Sequence, residues 1–291
     1  MRLAILEGLR LGVLTGDEGD EVADVTSALP WPHDPDPLTA GWWRRLCRDF
    51  ELVRPALAAA AADPASPRIP LAEARLLAPA VNPSKIVAAA SNYAAHVAEM
   101  HEVQERTLGA VEPWMMEFDV FLKAPSSIAG PRDDIWLPPG EAASEIHHEA
   151  ELVAIVGTGG RHIPAREALD AIVGYTIGLD ITLRGKADRS RRKSYDTFSP
   201  LGPWLVTRDE AGDPADLRIE LDRNGVRRQQ VAAGDMLVPV SRIVAYASAI
   251  MTLLPGDVIF TGAPPGVGPI APGDQLRVRI SRLGEMEVGV R

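Results

Sequence analysis

The chain has 291 residues, 46% of them apolar, and 30 basic against 40 acidic side chains give a formal charge of −10. That size supports a full hydrophobic core, in one large domain or a main domain with an appendage. The acidic balance argues against a nucleic-acid partner, whose phosphates are bound chiefly by Lys and Arg, and the single cysteine, Cys47, excludes an internal disulfide framework.

No N-terminal stretch combines a basic start, an apolar block and a small-residue cleavage site, so a cytoplasmic protein is expected. "RLAILEG" and "RLGVLTGDEGDEVADV" read as short antiparallel strands. From Pro37 to Ala62, Trp42, Trp43, Leu46, Cys47 and Phe50 recur at helical spacing and predict an amphipathic helix. "DPASPRIP", with prolines at 64, 67 and 70, reads as a linker. A small N-terminal α+β domain, 1–78, and a main domain, 79–291, are therefore expected. In the main domain "VNPSKIVAAASNY" and "DVFLKAPSSIAGP" read as strands, with a short helix from Ala94 to Met100 and a less regular stretch after it. "ELVAIVG" and "AIVGYTIGLDIT" are strong strands, and "LRIELDRNGVRRQQ" is a hairpin around Asn224 and Gly225. A last helix is expected behind Ser241 as N-cap, with Ile243, Val244, Ala247, Ile250, Met251 and Leu254 on one face. Tyr246 and Ser248 interrupt the longest apolar run, which falls short of the roughly 18 residues of a membrane helix, so no membrane partner is expected. The sum is a β-dominated α+β fold.

In "IHHEAELVAIV", residues 146–156, strand periodicity puts Glu149 and Glu151 on one face, with His147 next along it and His148 opposite. Two readings stand: a solvated strand face, or a pair of carboxylates whose repulsion a hard cation such as Mg²⁺ relieves. Zinc is a weaker rival, because Leu152 stands where an H-E-x-x-H motif needs its second histidine. Asp180 ends a near-continuous apolar strand and would complete a facial set of three carboxylates; an ion pair with Arg184 or a turn cap is the alternative. His96 and Glu99, three apart on a helical turn, form either a general-base dyad or a surface pair. The basic run "RGKADRSRRK", 184–193, is either a solvated loop or a patch for an anionic small molecule. "TGAPPGVGP", 261–269, lacks phosphate-loop spacing and reads as a rigid wall.

Together "SNYAAHVAEM", "FLKAPSSIAGP", "IHHEAELVAIVG", "GYTIGLDITLR", "KSYDTFSPLGPWLV" and "PGDVIFTGAPPGVG" resemble the fumarylacetoacetate hydrolase family, in the family's order and over most of residues 80–291. The resemblance implies a β-roll-like catalytic domain of mixed sheets, usually a homodimer, with a variable N-terminal domain. It implies a Mg²⁺ or Mn²⁺ site at Glu149, Glu151 and Asp180, with Lys193 beside it and His96 with Glu99 on a lid. Tyr93, Arg184 and Thr261 are candidate substrate contacts. Departures from the family pattern are Leu179 in place of Asn, Gly185 in place of Asp, and Ala263 in place of the second threonine of T-G-T-P.

The expected substrate is a small oxo or β-diketo acid of the acylpyruvate, fumarylacetoacetate or fumarylpyruvate type. The cation would chelate its carboxylate and 2-oxo group, and the dyad would activate water against the distal carbonyl. Carbon–carbon cleavage would leave an enolate, with the cation and Lys193 placed to stabilise its charge. Oxo-acid decarboxylation, hydroxymuconate-type isomerisation and sugar-acid dehydration are alternatives on the same scaffold, and a non-catalytic, metal-stabilised binding protein is a further one.

Overall fold

A computed structural model of the chain describes residues 1–16, 19–109, 111–140 and 145–291, so Asp17 and Glu18 of the N-terminal hairpin lie outside it. At its centre strand Ala150–Val156 lies between Ile172–Leu179 and Val258–Phe260, antiparallel to both. Val258–Phe260 pairs parallel with Ile86–Ala90, and Asp119–Lys123 closes that edge, which makes the sheet mixed. On the other side Ile172–Leu179 pairs with Ser199–Thr207, which holds Arg2–Leu6 and, through it, Arg10–Thr15, Glu21–Asp24 and Arg68–Pro70. A four-stranded sheet, built on the hairpin Arg218–Arg223 and Val226–Ala232, and a three-stranded sheet of Ile146–His148, Thr182–Leu183 and Gly268–Pro269 complete the β-dominated α+β fold.

The central strands read as unbroken apolar runs because both faces are covered. Leu152, Ala154 and Val156 face a core shared with Ile243, Val244 and Ala247 of helix Val240–Ile250. Val153 and Ile155 face Trp43, Leu46 and Phe50 of helix Trp42–Ala62, which leaves helical geometry at Asp49 ahead of Pro55. The Asn224-Gly225 turn has both residues at positive φ, as a two-residue hairpin joining right-twisted strands requires.

Four expectations change. The segment read as a linker ends in strand Arg68–Pro70; Pro64 and Pro67 precede the strand, and Pro70 is tolerated inside it because the strand is a sheet edge. The short helix expected at 94–100 runs from Ala94 to Leu108 and stops at Gly109, whose φ of 78° closes it. Its inward residues His96, Val97, Met100 and Gln104 line a cavity instead of a core, so the apolar period fades while the helix continues. Ser241 is not the N-cap: Pro239 holds that position, one residue earlier than Val240, with φ of −66° set by its ring. Ile250 and Leu254, assigned to the buried face, are 51% and 39% exposed: Ile250 sits one turn beyond the exposed Tyr246, and Leu254 lies past the end of the helix.

Gly178 has a steric reason for its identity. A Cβ there would stand 2.5 Å from Val153 Cγ2 and 2.6 Å from Phe260 Cε1. Gly178→Ala should therefore lower stability by about 1–3 kcal/mol, the usual cost of overpacking a closed core. Chemical denaturation measures it, and an unchanged midpoint would show that the neighbours yield freely.

Candidate metal centre and its cavity

Glu149 is the one residue between strand Ile146–His148 and strand Ala150–Val156, so it stands where the chain passes from the small sheet into the main one. The ladder sets Glu151 opposite Gly178, and the Asp180 backbone N–H donates to the Glu149 carbonyl at 2.8 Å. Period-two alternation then brings Glu149, Glu151 and Asp180 to one face. All three are buried, and one carboxylate oxygen from each lies within 4.8 Å of the others.

Cations and one backbone donor offset the repulsion. Lys193 Nζ donates to Glu149 Oε2 at 2.8 Å and also to Asp180 Oδ2. Arg184 Nη2 donates to Glu149 Oε1 at 2.6 Å. Lys123, buried in full, donates to Asp180 Oδ1 at 2.6 Å and to the Phe198 carbonyl at 2.9 Å, with Nζ 5.0 Å from the Phe260 ring centre. Glu151 accepts the Gly262 N–H at 2.6 Å. Burial alone would raise the Glu149 carboxyl, but Lys193, Arg184 and His96 overcome it and hold the group well below the usual carboxylate range. Burial and the charge of Asp180 push Glu151 well above that range. Burial also lowers the Lys123 ammonium, against the pull of Asp180.

The donors fit a hard divalent ion. All three are oxygens, and Glu151 lacks a cation in direct contact among the described residues, so an ion would favour its ionised form. A cavity of about 860 Å³ opens over Glu149 and Glu151, and His96, Arg184 and Lys193 line it. His96 Nδ1 lies 3.4 Å from Glu99 Oε2, and both Glu99 oxygens accept the Gly266 N–H, at 3.1 and 3.2 Å. With Nδ1 donating to Glu99, Nε2 is the ring nitrogen left to act as a base.

The remaining candidates sit differently. Arg184 borders the cavity, with Nη2 held to Glu149. Thr261 is buried, and its hydroxyl donates to the Leu152 carbonyl at 2.8 Å. Tyr93 is buried and does not border the cavity; its hydroxyl has no partner among the described residues, and burial, then Glu151 and Asp235, raise its pKa. His147 hydrogen-bonds Glu145 at 3.0 Å, and His148 donates to Gln229 Oε1 at 3.3 Å; burial lowers both imidazoles to about 4. Neither belongs to the carboxylate cluster. Sequence reasoning missed two groups. Lys123 was a lone lysine in a strand that alternated plausibly, and Gly262 acts through its backbone N–H, which no side-chain pattern shows. The loop 261–269, read as a wall, in fact binds both Glu151 and Glu99.

Residues 85–291 match the fumarylacetoacetate (FAA) hydrolase C-terminal family. The whole chain is 38% identical to a maleylpyruvate hydrolase of Aquipseudomonas alcaligenes, covering 99% of that protein. Among solved structures, maleylpyruvate hydrolase from Sphingobium sp. SYK-6, in complex with manganese(II) and pyruvate, superposes with a TM-score of 0.84 at 40% identity, over 100% of this chain and 98% of that one. A 5-carboxymethyl-2-hydroxymuconate delta-isomerase from Mycobacterium smegmatis gives a TM-score of 0.74 at 33% identity, over 100% and 99%.

The buried Lys123 leads to a stability prediction. Lys123→Ala would strand Asp180 Oδ1 and the Phe198 carbonyl, and breaking such a buried pair costs about 3–5 kcal/mol. Urea unfolding of the metal-free protein should show a loss of that size; a loss near zero would mean that Lys193 alone compensates Asp180.

Proposed function

The chain belongs to the fumarylacetoacetate hydrolase family, and from that premise we propose that it is a divalent-metal-dependent hydrolase cleaving a carbon–carbon bond in a β-diketo acid of the acylpyruvate class. The observation that carries this reading is the meeting, in one cavity, of the three-carboxylate cluster with His96, itself oriented by Glu99. The manganese and pyruvate held by the Sphingobium relative support a three-carbon 2-oxo acid as one product.

A Mg²⁺ or Mn²⁺ ion held by Glu149, Glu151 and Asp180 would supply a Lewis acid and a template for the substrate's carboxylate and 2-oxo group. His96 Nε2 accepts a proton from water as its oxygen adds to the distal carbonyl, and Glu99 stabilises the imidazolium formed. The bond from that carbon to the methylene breaks, and its electron pair stays with the three-carbon fragment as an enolate. Lys193, on the cavity wall, offsets the new negative charge. The proton on His96 returns to the methylene carbon, which gives pyruvate and a carboxylic acid. Hydrolysis adds one water and no redox partner is needed.

The same reading takes the chain as a cytoplasmic homodimer with a variable segment, 1–78, ahead of the catalytic domain, 79–291. The start of the family match at 85 supports the division. Exposed Leu122, Tyr246 and Ile250, beside the sheet edge Asp119–Lys123, support an apolar contact face. Among the described residues no helix is long and apolar enough to cross a membrane.

With Mn²⁺ present, an acylpyruvate should lose its diketone absorbance as pyruvate appears. His96→Ala should lower kcat by about 10²–10⁴-fold, the usual contribution of a general base, while calorimetric Mn²⁺ binding persists. Glu149→Gln with Glu151→Gln should lose Mn²⁺ binding, and unchanged binding there would remove the ligand assignment. Release of CO₂, or an isomer of unchanged mass, would replace hydrolysis by decarboxylation or isomerisation.

A further inference from the structure

Strand Val226–Ala232 forms one edge of the four-stranded sheet, and its side chains are exposed or half-buried with one exception. Gln229 is fully buried. A primary amide out of water is costly unless its polar atoms are paired, so its partners carry the reason for its place. The local backbone aims it. Leu221 pairs with Gln229 and Asp222 with Arg227, which leaves Arg228 as the extra residue of a β-bulge, and a bulge re-aims the side chains beside it.

Gln229 reaches the junction of the other two sheets. Its Oε1 accepts the Ala150 N–H at 3.0 Å and the His148 Nδ1–H at 3.3 Å, and Nε2 donates to the Pro264 carbonyl at 2.8 Å. The first two partners flank Glu149 in the chain. The third belongs to the loop 261–269, whose Gly262 N–H meets Glu151 and whose Gly266 N–H meets Glu99. Asn92, also buried, holds the same loop again by donating Nδ2 to the Thr261 carbonyl at 2.7 Å. Two amides thus fix the carbonyls of Thr261 and Pro264, on either side of the N–H given to Glu151. Neither amide lines the cavity, so neither is placed to touch a bound molecule. A tie that served only to join the sheets could sit anywhere along them; this one spans the break that carries Glu149 and the loop that meets Glu151.

We propose that Gln229 is a positioning residue of the metal centre: through Ala150 and Pro264 it sets Glu149 and Glu151 relative to each other, and with them the affinity for the divalent ion. The proposal rests on the functional reading above for the ion itself. It gives the four-stranded sheet, which supplies no side chain to the cavity lining, a part in shaping the site.

Gln229→Met tests it, since methionine keeps the length of the side chain and removes both polar ends. In the metal-free protein, amide exchange at Gly262 and Gly266, followed by NMR, should quicken about 10-fold as the loop loses its tie at Pro264. Mn²⁺ affinity, read by calorimetry, should fall about 10- to 100-fold, the usual effect of removing a hydrogen-bond partner behind metal ligands. Ser248→Ala controls for stability alone. It removes a buried hydroxyl that accepts the Ile163 N–H at 2.9 Å, away from the cavity lining, and should leave both readings unchanged. Gln229→Asn, one methylene shorter, carries the same readings with smaller changes if the methionine variant does not fold. Unchanged exchange at both glycines, unchanged Mn²⁺ affinity, or equal losses in Ser248→Ala would each overturn the positioning role. A wild-type protein that binds no Mn²⁺ discards the metal reading and the role with it. Affinity lost in the Gln229 variants, with no acylpyruvate hydrolysis by the wild type, keeps the role and discards the hydrolase reading alone.

Discussion

Three carboxylates within 4.8 Å of one another, all buried, set a demand that the surrounding structure meets. Two unit charges at such a separation repel far more strongly in a protein interior than in water, so the cluster persists only with positive charge and hydrogen bonds around it. Lys123, Lys193 and Arg184 supply three cations, and Gly262 supplies an N–H. The two lysines differ in access. Lys123 is fully enclosed between Asp180, the Phe198 carbonyl and the Phe260 ring, whereas Lys193 lines the cavity, 5.2 Å from the Phe121 ring centre. One is a permanent brace for Asp180; the other also faces the cavity.

The fold delivers this cluster through register. Glu149, Glu151 and Asp180 share a face because two antiparallel strands meet at Glu151 and Gly178, and Gly178 has no side chain to keep Phe260 away. From the opposite side the loop 261–269 reaches over. Gly262 and Gly266 adopt φ of 102° and 91°, where a Cβ would stand 2.6 Å from Asn92 Cβ and 1.9 Å from the Arg228 carbonyl oxygen. Those backbone positions aim one N–H at Glu151 and another at Glu99. The loop thus sets Glu151 and Glu99 relative to each other through backbone N–H groups alone. Helix Ala94–Leu108 completes the cavity and is tied at its far end by the Arg106–Glu145 ion pair.

Much of this was legible in the sequence where a pattern and its chemistry coincide. Glu149 and Glu151 at i and i+2 left a solvated strand face open, and Asp180 at the end of an apolar strand tipped the pattern towards buried carboxylates, which is how all three stand. The apolar stripe of Trp42, Trp43, Leu46 and Phe50 likewise specified its helix. Legibility failed where structure depends on contacts distant in sequence. Helix Ala94–Leu108 faces a cavity, so its inner residues lose the hydrophobic period that marks a helix on a core. Lys123 is single, and only the ladder that brings Ile86–Ala90 against Asp119–Lys123 turns its side chain into the site. The hydroxyl of Thr261 looked available for substrate, yet the Leu152 carbonyl takes it. The strand Arg68–Pro70 hid behind Pro67 and Pro70, the second of which an edge position permits.

The proposed function requires Glu149, Glu151 and Asp180 to hold one divalent cation between them at the cavity. Anomalous diffraction from crystals grown with Mn²⁺ tests it most directly. A single strong peak should lie at coordinating distance from one oxygen of each of the three carboxylates, on the side facing His96. A peak at His147 or His148, or none in this cavity at saturating Mn²⁺, would contradict it.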